Sequence, residues 1–130
     1  MPIRKITDFI QCLKKGTVLL SAGQDGVTDA VPEMSVTYVE LQPGQEIKPH
    51  THNRAEAYLF LTGRAKVMTG EEIQEVTTGD VAIAPVGTPH AIKVIGNEPL
   101  RFYAFNSPPA SSCPMTGAPE EYLWKWNSVG

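Results

Sequence analysis

Between residues 35 and 106 the chain is cut into short β-type runs by glycine and proline at nearly regular intervals. The runs cover 35–41 (SVTYVEL), 46–52, 56–61 (EAYLFL), 64–69 (RAKVMT), 72–77 (EIQEVT), 81–84 (VAIA), 90–95 (HAIKVI) and 100–106 (LRFYAFN). A further run, TVLLS, covers 17–21. PG at 43–44, TG at 62–63 and 69–70, TGD at 78–80, PVGTP at 85–89 and GNEP at 96–99 separate them. Runs rich in Val, Ile, Tyr, Phe and Thr, joined by such turns, fold as an all-β sandwich or barrel. Ahead of them, Ile3, Ile6, Ile10 and Leu13 fall at helical spacing. They predict a short N-terminal helix, capped by Thr7 or Asp8 and ended by Gly16. The stretch NSPPASSCPMTGAPEE reads as loop, and EYLWKW after it as a docked segment, helix or strand.

A chain of 130 residues with 42% hydrophobic content is one domain with enough material for a core. The barrel core is expected over about 35–107 and a tail over 108–130. Net charge is −3 and no block of like charges stands out, so nucleic acid has no electrostatic footprint here. Arg4, Lys5, Asp8, Gln11 and Lys14 interrupt the apolar residues of the N-terminus, which is unlike a secretory signal. No stretch approaches membrane-spanning length. The expectation is a cytoplasmic protein without membrane contact, with Cys12 and Cys113 as reduced thiols.

All three histidines fall in two of the strand–turn units. His50 and His52 are two apart, and on a strand such residues face the same side. The turn NRA follows, and Glu56 opens the next strand beside them. His90 comes directly after PVGTP, at the start of a later strand that a rolled barrel can lay against the first pair. Three imidazoles and one carboxylate suit a first-row transition metal. Pro49 stiffens the backbone just before the pair.

These residues resemble the two motifs of the cupin family. The first, G-x5-H-x-H-x3-E-x6-G, is met by Gly44, His50, His52, Glu56 and Gly63. The second, G-x5-P-x-G-x2-H-x3-N, is met by Gly79, Pro85, Gly87 and His90, with Val94 standing where the family often has Asn. The resemblance implies a small antiparallel jelly-roll β-barrel with the metal near one mouth. It implies His50, His52, Glu56 and His90 as ligands of a divalent transition metal: Fe(II), Mn(II), Ni(II) or Zn(II). It also implies a homodimer formed through N-terminal strands.

With every histidine spent on metal, a general acid or base must be a carboxylate, a tyrosine or a metal-bound hydroxide. Tyr58 and Phe60 share the face of Glu56, and Ile92 and Val94 the face of His90, so these are expected to line the cavity. Tyr58 is the candidate proton carrier, weighed against a purely packed ring. Tyr38 is added to the pocket. Arg54, in the turn between His52 and Glu56, either meets an anionic substrate or is a solvated turn residue. Glu40 is either exposed or functional, because a buried carboxylate without a partner is costly. Trp124 and Trp126 are expected to pack the terminal segment over the barrel or a partner. Met34, Met68 and Met115 are expected to fill gaps.

A divalent ion held by three neutral rings and one carboxylate keeps a net positive charge and favours anionic oxygen ligands. The leading reading is therefore a metal-dependent enzyme on a small molecule, an oxygenase of an enol, aromatic or carboxylate substrate. Non-redox isomerase, epimerase or lyase chemistry is the alternative within enzymes. A non-catalytic ligand-binding or sensor barrel is the alternative outside them.

Overall fold

The computed structural model describes residues 3–14, 26–109 and 115–129. The strand expected at 17–21, the helix stop at Gly16 and Cys113 lie outside these residues. Among the described residues the order is α1 (Ile6–Lys14), β1 (Gly26–Val31), β2 (Met34–Leu41), β3 (Glu46–Thr51), β4 (Ala55–Thr62) and β5 (Arg64–Thr69). Then follow β6 (Glu72–Val76), β7 (Val81–Ala84), β8 (His90–Ile95), β9 (Leu100–Ser107), β10 (Thr116–Gly117) and α2 (Glu120–Ser128). No helix among them is long and apolar enough to cross a membrane.

The strands form two five-stranded antiparallel sheets, ordered β1-β2-β9-β4-β7 and β10-β3-β8-β5-β6. Neighbours in space are thus often distant in sequence, as in a jelly roll. Alternation decides what fills the space between the sheets. From the first sheet come Val39, Leu41, Tyr58, Phe60, Leu100, Phe102 and Ala104; from the second come Ile47, Ala65, Val67, Ile92 and Val94. Phe60 and Phe102 are almost fully buried, with ring centroids 5.6 Å apart. Each such ring contributes about 1.5–3 kcal/mol relative to staying exposed.

The two helices cover the outer faces. On α1, Phe9 packs against Tyr38 and Tyr103 on the outside of the first sheet. The helix starts one residue earlier than Thr7, and Asp8 acts from within its first turn, where Oδ2 accepts from the Lys5 N–H at 2.8 Å. The terminal segment is a helix: on α2, Trp126 is buried against Met68 and Ala91. Its Nε1–H donates to Glu46 Oε1 at 2.9 Å, and Lys93 lies over its ring. Trp124 faces outward and is 67% exposed, so only one of the two tryptophans packs.

Candidate metal centre

The site is built at one end of the space between the sheets, from strand ends of both. In the second sheet His50, near the end of β3, faces His90, the first residue of β8. A register shift between Ile47 and His50 re-aims the end of β3. His52 follows just beyond that strand, where its carbonyl accepts from the Gly87 N–H at 3.0 Å. The PVGTP turn is thereby tied to the H-x-H unit. In the first sheet Glu56, second in β4, faces Asn106 across β4–β9. His50, His52, Glu56, His90 and Asn106 are all at most 8% exposed.

Each ring is oriented by one backbone carbonyl. The Nδ1 of His50 lies 2.8 Å from Lys48 O, that of His52 3.0 Å from Arg54 O, and that of His90 2.9 Å from Thr88 O. A carbonyl only accepts, so Nδ1 carries the proton and the neutral ring keeps its lone pair on Nε2. Yet Nε2 of His52 and of His90 stand 3.1 and 3.0 Å from the same carboxylate oxygen, Glu56 Oε1. A lone pair facing a carboxylate at that distance is repulsive unless a cation or a proton lies between them. Two donors about 2.1 Å from one ion and at right angles to each other stand about 3.0 Å apart. One donor atom from each of the four residues lies within 4.8 Å of all the others. The donor set and its spacing therefore fit a divalent transition metal, whose identity the donors leave open.

The electrostatics prepare the ligand forms a metal needs. Burial, reinforced by the neighbouring His90, pushes His50 down to about 4, so its ring is neutral near pH 7. Burial alone would raise Glu56. In the metal-free protein a proton between each Nε2 and the carboxylate stands in for the cation; the hydrogen bonds from His52 and His90, the charge this gives His90 and the Tyr58 hydroxyl then outweigh burial and hold the carboxyl well below the usual range. Tyr58 donates to Glu56 Oε1 at 2.6 Å. Burial, followed by the Glu56 charge, raises its phenol well above the ordinary value, so it stays protonated. On the other carboxylate oxygen, Asn106 Nδ2 donates to Oε2 at 2.8 Å, and Arg54 Nε donates to Asn106 Oδ1 at 2.7 Å.

The profile of the cupin domain matches residues 37–106, the span that holds all four donors. The chain belongs to the cupin family. A mannose-1-phosphate guanylyltransferase from Salmonella typhimurium is 26% identical over 81% of the chain, which spans only 23% of that protein. A Klebsiella pneumoniae protein with a double-stranded β-helix domain superposes with a TM-score of 0.70 at 22% identity, over 91% of this chain and 99% of that one. A predicted oxalate decarboxylase from Thermotoga maritima is 27% identical with a TM-score of 0.54, over 55% of this cupin and 64% of that chain.

Within the cupin barrel, the other residues singled out in the sequence fall in different places. Tyr58 reaches the donor cluster, with its ring centroid 6.1 Å from that of His90. Phe60 and Ile92, expected to line the cavity, are fully buried in the packed core between the sheets. Val94 lies in the same core. Tyr38 lies elsewhere. It is on the opposite face of β2 from Val39 and Leu41, under α1, because alternation that turns those two inward turns Tyr38 out. There its hydroxyl donates to Glu40 Oε2 at 2.7 Å and accepts from Arg101 Nε at 2.6 Å. Glu40 is thus a partnered, half-buried group on the outer face. Arg54 is no solvated turn residue: it is 2% exposed and points inward to Asn106. Asn106 itself was missed. Its signal was the alternation Leu100, Phe102, Ala104, Asn106, which puts one amide on an otherwise apolar face beside the glutamate's strand.

Proposed function

We propose that this cupin is a metal-dependent enzyme acting on a small substrate that binds through oxygen: a carboxylate, an enolate or a pair of adjacent oxygens. One observation carries the reading. Buried, pre-oriented Nε2 atoms of two histidines share a single oxygen of an ionised glutamate, with a third imidazole beside them. A divalent ion there would supply Lewis acidity, and with iron or manganese also redox chemistry. His50, His52, Glu56 and His90 would hold it. With one carboxylate among four donors, the centre retains positive charge and attracts anionic oxygen. The packed core of Phe60, Phe102 and Ile92 between the sheets keeps bulk water from that side of the site. The likeness to a predicted oxalate decarboxylase supports a carboxylate on the substrate. An oxygen-consuming reaction is the reading proposed first.

A second, non-redox reading rests on Tyr58. Its hydroxyl oxygen sits 2.6 Å from Glu56 Oε1 and donates its proton there, in a dry environment that keeps the phenol neutral. Such a group holds a proton ready for a developing oxyanion or enolate, as isomerases and lyases require.

The test is anaerobic loading of metal-free protein with Fe(II), Mn(II), Ni(II) or Zn(II). Oxygen uptake and product formation are then screened over aromatic, enol and short carboxylate compounds. Substrate-dependent uptake with iron or manganese is the expected result. Turnover without uptake replaces it with the Tyr58 reading. Tight ligand binding without turnover under any metal overturns the enzyme and leaves a binding barrel.

A further inference from the structure

The donor cluster accounts for one oxygen of Glu56. The other is occupied by a chain of two buried side chains at no fixed position of either motif. Arg54 and Asn106 are each 2% exposed, and they come from opposite ends of the sequence span that makes the site. Their hydrogen bonds admit one assignment. A guanidinium only donates, so the Asn106 atom 2.7 Å from Arg54 Nε must be the amide oxygen. The amide nitrogen is then the atom 2.8 Å from Glu56 Oε2, and it donates. Arg54 therefore fixes which way the Asn106 amide faces, and Asn106 fixes which way the Glu56 carboxylate faces. Register reinforces this, since Glu56 and Asn106 are direct partners across β4–β9.

We propose that Asn106, anchored by Arg54, is a positioning residue that keeps Glu56 Oε2 turned away from the imidazoles, so that Glu56 offers a bound metal one oxygen and not two. The inference rests on the metal-centre reading above. Its consequence for function is a coordination position that a chelating carboxylate would otherwise fill. That position stays open to a second oxygen of the substrate. The arrangement also gives a role to an arginine buried at a turn: its Nε–H aligns the amide that in turn holds the ionised carboxylate. Partners that orient a ligand in this way are commonly worth about 10–100-fold in metal affinity.

The experiment is Co(II) titration of metal-free wild type, Asn106→Ala, Asn106→Asp and Arg54→Met, followed by visible absorption with a chelator competition for affinity. The apo proteins are compared by circular dichroism. Asn106→Asp keeps the shape but sets an anion against Oε2. The expected result is a fall of about 10–100-fold in Co(II) affinity for both Asn106 variants, a smaller fall for Arg54→Met, and altered visible bands in all three. A purely structural role would leave the bands of the folded, loaded variants alone. Should Asn106→Ala not fold, Asn106→Asp and Arg54→Met carry the same comparison. Wild-type affinity and bands in the folded variants overturn this inference alone. Failure of wild type to take up Co(II) overturns the metal centre, and the positioning role with it.

Discussion

At the scale of single residues, the site is a set of side chains each committed by one neighbour. The three Nδ1–H groups are spent on carbonyls of Lys48, Arg54 and Thr88, which leaves chemistry to Nε2 alone. This has a consequence for pH. In the unfolded chain His50 protonates near 6.5; in the folded, metal-free protein it does so only near 4. Above 6.5 both states are neutral and the ring costs nothing. As pH falls through the window from 6.5 to 4, the unfolded state binds the proton first, so stability is lost. Glu56, whose folded pKa is depressed, adds loss of the same sign as pH falls below its ordinary value. The thermal midpoint of metal-free protein should therefore drop between pH 7 and 4, and His50→Gln should flatten the upper part of that drop. An equal slope in the variant would contradict it. The ligands were legible because H-x-H, the following Glu and the later His sit at spacings a strand explains. Asn106 and Arg54 were not, because which face of β9 turns inward, and whether a turn arginine is buried, depend on partners 50 or more residues away.

At the scale of elements, the turns are what hold the strands in register, and one glycine shows how. Gly63 joins β4 to β5 with φ of +84°, and a Cβ there would lie 2.5 Å from the Pro99 carbonyl oxygen. Gly79 has a similar φ, +87°, but open space around it. Gly79→Ala should cost about 1–2 kcal/mol from the left-handed backbone alone. Gly63→Ala should cost clearly more, because backbone must also move. Denaturant midpoints of the two variants measure the difference, and equal midpoints would refute the steric part. The second element-scale prediction concerns α2. Trp126→Ala removes a fully buried ring from over Met68 and Ala91, and should cost about 3–5 kcal/mol. Trp124→Ala, at an exposed position, should cost under about 0.5 kcal/mol, and urea unfolding would show it. The strands from β2 to β9 are legible almost to the residue, since glycine or proline marks most of their ends; the β3–β4 turn, with neither, is read from His52, Asn53 and Arg54. Strand β1 was not: GVTDAV mixes an aspartate and small residues, and it is held as an edge strand by pairing along β2. The segment EYLWKW does not declare itself a helix, because its apolar residues are too few to fix a period.

At the scale of the whole molecule, two sheets that would close over an apolar interior instead meet at one end around four buried polar donors. Burying an ionised carboxylate and three imidazoles there is unfavourable without a partner cation. Metal binding and stability are therefore coupled: a saturating metal at 100 times its Kd should add about 2.7 kcal/mol to unfolding free energy. A chelator should reverse it, and a thermal midpoint indifferent to both would speak against the coupling. The barrel was readable from the sequence because turn chemistry and period-two alternation agree along 35–107. The reaction was not, because the same donor set serves redox and non-redox chemistry, and the ring that separates them, Tyr58, is decided by a proton. The central claim is tested most directly by elemental analysis of protein from metal-supplemented cells, with His50→Ala and His90→Ala in parallel. The account predicts close to one transition-metal ion per wild-type chain and a sharp loss in both folded variants. Equal metal content in all three proteins, or none in wild type, would contradict it.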